Sequence, residues 1–181
     1  MKKEINRNRI RQTSECGILI AVAMALSFVK IIQLPSGGSV SLGALPILLI
    51  ASRRGFKVGA VSGLCLSLLL LMNGAFVIHP LQFLLDYPLA YASLGVAGII
   101  KWDTPLKAAT ATTVANLIRL QFHVVAGAVF FSDTEENLSK ALAYSYAYNC
   151  GHLIPETIIC AAIMWYIALK HQKLCSRQSP C

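Results

Sequence analysis

The chain has 181 residues, of which 56% are hydrophobic and only 13% are charged, against about 25% charged residues in a typical soluble domain. This balance, with a mean hydropathy of +0.62, excludes a disordered chain, a coiled coil and an ordinary soluble enzyme. The net charge of +8 lies in short basic clusters between apolar runs, which argues against a nucleic-acid-binding face. The composition predicts an integral membrane protein with room for about six spans.

Six apolar runs are predicted, in chain order, to be membrane helices. The first, residues 16–34, follows a basic N-terminal segment and stops at a Pro/Ser/Gly loop over 35–39. The second, 40–52, is short and contains Pro46, which predicts a tilted or broken helix. The other four runs cover residues 58–77, 80–100, 108–131 and 141–169. We predict one all-α membrane domain over 1–181, with an N-terminal segment (1–14), a six-helix bundle (15–170) and a tail (171–181).

The basic residues set the predicted orientation. With both termini in the cytoplasm, 13 of the 16 basic residues lie on the inner side; the others are Lys30, Arg119 and Lys140. Positive charge concentrates on the cytoplasmic side of membrane proteins. The sequence therefore predicts cytoplasmic N- and C-termini and outer loops at 35–39, about 74–79, and 132–138.

Small residues at four-residue spacing predict close helix packing. Gly55, Gly59 and Gly63 form one such repeat, and Ala21 and Ala25 form another in the first helix. Small side chains let a second helix approach closely. Each stripe has two interpretations: packing within this chain, or docking of a partner membrane subunit.

Polar and ionisable residues within the predicted spans mark a candidate site, because such groups are costly in a bilayer. Three helices each carry such residues at helical spacing: His79, Gln82, Asp86 and Tyr87 on the fourth; Asn116, Arg119 and His123 on the fifth; Tyr144, Tyr148, Asn149, His152 and Glu156 on the sixth. One interpretation is a buried polar network with an Asp86–Arg119 ion pair. The other is an enclosed site for a small polar ligand with a ring, which the accompanying aromatic residues favour.

Enzyme interpretations are weaker. The sequence holds no HExxH, GxSxG or Walker motif and no CxxC pair, and its span histidines lie on different helices without the spacing of metal ligands. We therefore predict no catalytic residues, no metal and no cofactor, so a partner or an ion gradient must supply energy. A small membrane enzyme and a membrane scaffold remain as alternatives from other functional classes.

Several segments, in order over about residues 20–165, resemble one family. They are Pro35-Ser36-Gly37-Gly38-Ser39-Val40-Ser41-Leu42, Arg54-Gly55 with Gly59 and Gly63, His79-Pro80-Leu81-Gln82 with Asp86-Tyr87, His123 with Gly127 and Phe130-Phe131, and Tyr144-Ser145 with Tyr148-Asn149 and Pro155. The set is similar to the thiamin-binding S components of energy-coupling-factor (ECF) vitamin transporters. The sequence departs from that family's pattern in Cys150-Gly151-His152, which follows Asn149, and in the additional carboxylate of Glu156.

The resemblance implies a multi-pass bacterial plasma-membrane protein that captures thiamin from outside. The implied partners are a membrane coupling subunit, docked against Ala21 and Ala25, and two ATPase subunits that use ATP. The implied ligand-binding residues are Gly37, Gly38, Ser39, His79, Gln82, Asp86, Tyr87, His123, Phe131, Tyr144, Tyr148 and Asn149. Among these, Asp86 would bind the aminopyrimidine or offset the thiazolium charge, and Phe131 would stack on a ring. Within the family, another small heterocycle, such as a thiamin pyrimidine precursor, is the alternative ligand.

Overall fold

The computed structural model describes residues 2–34, 38–72, 74, 76–132 and 137–175, with side chains from residue 7 onward. Its long helices are α1 (Lys2–Phe28), α2 (Ala44–Arg54), α3 (Phe56–Leu71), α5 (Pro105–Phe130) and α6 (Leu138–Lys170). Helix α4 consists of four consecutive pieces, Pro80–Leu84, Leu85–Leu89, Ala90–Ala92 and Ser93–Gly98, and a short α7 (Gln172–Cys175) follows α6. The predicted all-α membrane class is confirmed.

A small β-hairpin replaces the outer end of the first predicted span. Helix α1 ends at Phe28, and the two-residue strands β1 (Ile32–Gln33) and β2 (Ser39–Val40) pair antiparallel. The amide of Ile31 also donates to the carbonyl of Val40 at 2.9 Å. The prediction that the first helix continues to residue 34 is therefore wrong. β-branched residues before a Pro/Ser/Gly turn favour paired strands over the end of a helix.

Helix α2 is short and unbroken. The sequence predicted a tilted or broken helix at Pro46, and the break is wrong. This proline occupies the first turn of the helix, where its missing N–H removes no intrahelical hydrogen bond. Gly55 then joins α2 directly to α3 with φ at 85°, a left-handed conformation that glycine adopts without steric cost. The result is a sharp joint with no intervening loop.

The glycine repeat of α3 packs within the chain. A Cβ added to Gly59 would lie 2.6 Å from the Cβ of Ala51, and one added to Gly63 would lie 2.1 Å from the carbonyl oxygen of Tyr91. Helix α3 therefore packs against α2 and α4 at backbone distance. Of the two interpretations of this repeat, internal packing is confirmed.

Helix α4 departs from the uniform helix expected over 80–100. Its second piece, Leu85–Leu89, is a π-helix that contains Pro88, and its last piece, Ser93–Gly98, is a 3-10 helix. Proline cannot donate the hydrogen bond of a regular α-helix and clashes with the carbonyl one turn earlier. The widened turn carries Asp86 and Tyr87, and such π-bulges are frequent at functional sites.

The bundle has two chemically distinct ends. Among the described residues, α5 and α6 are the helices long and apolar enough to cross a membrane by length and composition, and α3 is a shorter apolar helix. The main apolar core, with Leu48, Leu94, Trp102 and Met164, lies toward the end predicted to be cytoplasmic. We call that the inner end; the opposite one, at the starts of α4 and α6, is the outer end. Gln82, Asp86, His123 and Asn149 lie in the outer half of their helices.

Candidate functional site

A carboxylate shared by two polar partners forms the centre of the candidate site. Asp86 Oδ1 lies 2.9 Å from Nδ1 of His123 on α5, and Asp86 Oδ2 accepts a hydrogen bond of 2.8 Å from Nε2 of Gln82. The side chains of Asp86 and His123 are only 17% and 16% exposed. With Asp86 ionised, its carboxylate only accepts hydrogen bonds; Nδ1 of His123 is then the donor, and Nε2 of a neutral ring is an acceptor.

The loop before α4 folds over this centre. Gln82 is almost fully buried; its Oε1 accepts from the amide of Ile78 at 3.2 Å, and its Nε2 donates to the carbonyl of Phe76 at 3.4 Å. The hydroxyl of Tyr87 donates to the same carbonyl at 3.4 Å. One buried glutamine thus links the outer loop to Asp86, so the position of the loop and that of the carboxylate are coupled.

Aromatic rings line the outer rim of the site. His79 caps the start of α4, because its Nδ1 accepts from the amide of Leu81, and its ring stacks on Phe130 at 4.9 Å. The rings of Phe76 and Phe131 lie 6.2 Å apart. These contacts join the outer loop to the end of α5.

Helix α6 is locked against α5 by a polar contact at the same depth. Nδ2 of Asn149 donates to the carbonyl of Ser145 at 2.9 Å and lies 3.4 Å from the carbonyl of His123, and the hydroxyl of Ser145 donates to the carbonyl of Val124 at 2.8 Å. Gly127 makes room for this hydroxyl, since a Cβ there would lie 2.2 Å from it. Asn149 therefore fixes the helix that carries His123.

The β-hairpin closes the site against α6. The amide of Gly38 donates to the hydroxyl of Tyr148 at 2.7 Å, and the ring of Tyr148 packs edge-on against His152 at 5.7 Å. A Cβ on Gly38 would lie 2.7 Å from Nδ1 of His152. Among the described residues, Nδ1 of His152 and Nε2 of His123 are buried without a hydrogen-bond partner.

A buried ion pair lies one helical turn below these residues, toward the inner end. Arg119 donates from one terminal nitrogen to Glu156 at 2.6 Å, and their side chains are 8% and 2% exposed. The other terminal nitrogen lies 3.4 Å from the hydroxyl of Tyr91, whose ring stacks under the guanidinium at 4.7 Å. The expected Asp86–Arg119 pair is therefore wrong: Arg119 pairs with Glu156, and Asp86 pairs with His123.

The structure brings most of the predicted site residues together. Gln82, Asp86, Tyr87 and His123 meet at the centre, whereas Tyr144 is 51% exposed. The remaining predicted positions are distributed as follows: His79 and Phe131 at the rim, Asn149 and Tyr148 on α6, Gly38 and Ser39 in the hairpin, and Gly37 outside the described residues. The predicted docking residues Ala21 and Ala25 are both exposed on α1.

Sequence reasoning missed three contributors. Phe76 accepts hydrogen bonds through its backbone, which no side-chain pattern reveals. Ser145 stands one helical turn before Asn149 and could have been found from that spacing. Tyr91 stands one turn after Tyr87 on the face already identified, but the break in helical period at Pro88 hides this relation.

The cleft between α5 and α6 is separate from this site. It has a volume of about 420 Å³ and is lined mainly by apolar residues, including Leu117, Leu120, Leu153 and Ile158. Of the polar span residues identified in the sequence, Asn116 lines it, and none of the implied ligand-binding residues does. Within the described ranges, no three His, Cys, Asp or Glu side chains are grouped to hold a metal ion.

The sequence and fold match known proteins. The model of the family described as "Thiamine transporter protein" matches residues 13–176. The thiamine transporter ThiT of Bacillus subtilis is 33% identical over 175 residues, covering 88% of this chain and 91% of that protein. ThiT of Lacticaseibacillus paracasei is 25% identical, with 83% of each chain covered.

A solved structure of ThiT from Listeria monocytogenes superposes with a TM-score of 0.81 at 26% identity, covering 94% of this chain and all of that one. The similarity therefore extends through the whole bundle, including α4 to α6, which carry the candidate site. These relatives are transporters by name, and enzymatic activity is not part of that description. The chain belongs to the thiamine transporter protein family.

Proposed function

We propose that the chain captures thiamin at its outer end as the substrate-binding subunit of an ECF-type transporter. The observation that carries this proposal is the half-buried Asp86 carboxylate, held by His123 and Gln82 inside an aromatic rim, in a chain of the thiamine transporter protein family. Thiamin joins a cationic thiazolium ring to an aminopyrimidine. A carboxylate among aromatic faces is complementary to both parts.

The charges of the spans support a singly charged cation as ligand. Arg119 and Glu156 cancel one another, and within the described residues the only ion-pair partner of Asp86 is His123. With neutral histidines, the site therefore carries one net negative charge. The acceptor nitrogen of His123 suits an exocyclic amino group, and Phe131, Tyr87 and Tyr144 would offer ring faces or hydroxyls to the two rings.

The hairpin would cover the bound ligand. Gly38 already contacts Tyr148, and we assign Gly37, Gly38 and Ser39 to a loop that closes over thiamin, with His79, Gln82 and Asn149 completing the surround. Backbone groups in such a loop can approach a ligand closely, because glycine adds no side-chain bulk. The chain itself would bind and hold thiamin without changing it.

Energy would come from partners. A coupling subunit would dock on α1, where Ala21 and Ala25 are exposed, and two ATPase subunits would hydrolyse ATP on the cytoplasmic side. Small exposed residues at four-residue spacing suit close contact with another membrane helix. We place the complex in the bacterial plasma membrane, with this chain crossing it several times.

Calorimetric titration of the full detergent-solubilised chain with thiamin tests the proposal. We expect tight one-to-one binding, with no comparable heat from pyridoxine or riboflavin at equal concentrations. Purification from cells that also express an ECF coupling subunit and its ATPases should then yield one complex. A folded chain that gives no heat with thiamin, or that converts it, would contradict the proposed function.

A further inference from the structure

The Arg119–Glu156 pair lies one helical turn below the candidate site. On α5, Arg119 stands four residues from His123; on α6, Glu156 stands four residues from His152; on α4, Tyr91 stands four residues from Tyr87. Along the regular helices α5 and α6, four residues correspond to about 6 Å, and the contacts of Tyr91 with Arg119 place it at the same depth. The pair and Tyr91 therefore form a layer one turn deeper than the binding residues, and we call these three residues the floor.

The floor is buried and held by several contacts. Arg119 has its short bond to Glu156, a contact to the hydroxyl of Tyr91, and the Tyr91 ring beneath its guanidinium. Both charged side chains are more than nine-tenths buried, so water screens their fields weakly. Since Glu156 is the ion-pair partner of Arg119 within the described residues, loss of its charge would leave a full positive charge under the site.

We propose that Glu156 determines the ligand selectivity of the site by neutralising Arg119, so that the charge of Asp86 alone acts on the bound ligand. The inference rests on the proposed function and adds a specificity-determining residue to it. Glu156 acts through Arg119 and from one turn below the ligand. It therefore changes the preference for a cation over a neutral molecule of the same shape, and leaves shape recognition to the residues above.

The test compares two ligands of equal shape and different charge: thiamin, and its neutral thiophene analogue, in which carbon replaces the charged ring nitrogen. Dissociation constants are measured by calorimetry for the full chain, and the readout is the ratio of the two affinities. Glu156→Gln keeps the size of the side chain and removes its charge. We expect it to lower the preference for thiamin over the analogue at least about tenfold.

Arg119→Gln provides an independent arm. It leaves Glu156 below the site without its cation, and a carboxyl buried without a partner takes up a proton. The preference for thiamin should therefore not fall, and the double variant Arg119→Gln/Glu156→Gln should keep the ratio near the wild-type value. Glu156→Asp, which keeps the charge, is the matched control and should keep the wild-type ratio. If Glu156→Gln does not fold, Glu156→Met, which also removes the charge at similar side-chain volume, takes its place.

Two results would overturn the inference: equal weakening of both ligands in Glu156→Gln, or shifts of the same sign in the two single variants. Either would assign the pair a purely structural role in holding α5 and α6. Failure of the proposed function has a different signature. In that case the wild-type chain, and every variant of Arg119 and Glu156, would bind neither thiamin nor the analogue.

Discussion

At the scale of single residues, helical spacing predicted which side chains share a face but left the pairing between helices open. Asp86, Arg119, His123 and Glu156 were all recognised as ionisable residues in spans. Their partners depend on the depth of each residue along its own helix and on how α5 and α6 are rotated. Helix α5 runs from the inner to the outer end, and α6 runs back. Arg119, which comes before His123 on α5, therefore lies one turn nearer the inner end and at the level of Glu156 on α6.

Asp86→Asn removes the charge of the proposed ligand carboxylate. The amide keeps one acceptor oxygen, so it accepts from His123 or from Gln82 and presents an NH2 group at the other position, and it offers no negative charge to the thiazolium ring. We expect thiamin binding to weaken by about 1–3 kcal/mol, measured by calorimetry with the same preparation of full chain. Asp103→Asn, on an exposed turn at the inner end, is the matched control and should bind as the wild type does. Wild-type affinity in Asp86→Asn would remove Asp86 from the site.

A second residue-scale prediction concerns stability at the inner end. Glu15 of α1 accepts from Nε of Arg53 at 2.6 Å and also from Arg54. Burial by itself would raise the pKa of Glu15, but the bonds and charges of Arg54 and Arg53 outweigh it and hold this pKa below its ordinary value of 4.5. A carboxyl with a lowered pKa in the folded state stabilises the protein above its unfolded pKa and loses that contribution as the pH falls further.

The melting temperature of the detergent-solubilised wild type should therefore fall more steeply below about pH 4.5 than that of Glu15→Gln, and the two should differ most near neutral pH. Fluorescence-detected melting over a pH series measures both slopes. Parallel curves for the two proteins would show that the bridge between α1 and α2 contributes no pH-dependent stability.

At the scale of elements, the apolar runs located the helices well and described their ends poorly. Hydropathy alone does not distinguish an apolar run that continues a helix from one that enters a strand. The sequence analysis therefore did not predict the hairpin after Phe28. The distortion at Pro88 is a second case. The sequence shows a proline in a span, but whether the helix kinks, breaks or widens depends on the packing of α3 and α5 around it.

The contact between the hairpin and α6 yields a prediction about closure. Gly38→Ala would place a methyl group 2.7 Å from Nδ1 of His152 and 3.0 Å from the hydroxyl of Tyr148. Overpacking of this kind costs about 1–3 kcal/mol, so the closed hairpin should be destabilised and thiamin should dissociate faster in stopped-flow displacement. The double variant Gly38→Ala/His152→Ala removes the nearer clash and should recover part of the difference. A dissociation rate unchanged by Gly38→Ala would exclude the hairpin from retaining the ligand.

At the scale of the whole molecule, composition predicted the all-α membrane class, and the distribution of basic residues predicts an orientation with both termini in the cytoplasm. The basic clusters that the sequence assigns to the inner side include Arg53 and Arg54, which meet Glu15 and the backbone of Leu174 at one end. Gln82 and Asp86 of α4, His123 of α5 and Asn149 of α6 meet in the opposite half. Binding and energy coupling would thus occupy different parts of one molecule, and a substitution on α1 can separate them.

Ala21→Trp makes that separation. Ala21 is exposed on α1 and lies apart from the residues around Asp86, so thiamin affinity of the isolated chain should match that of the wild type. A bulky ring there would prevent close approach of a partner helix. We expect thiamin uptake to drop at least about tenfold in cells that supply the coupling and ATPase subunits but lack another thiamin transporter. Ala162→Trp, at an exposed alanine of α6, is the matched control and should preserve uptake. Loss of binding in Ala21→Trp, or normal uptake, would contradict docking on this face.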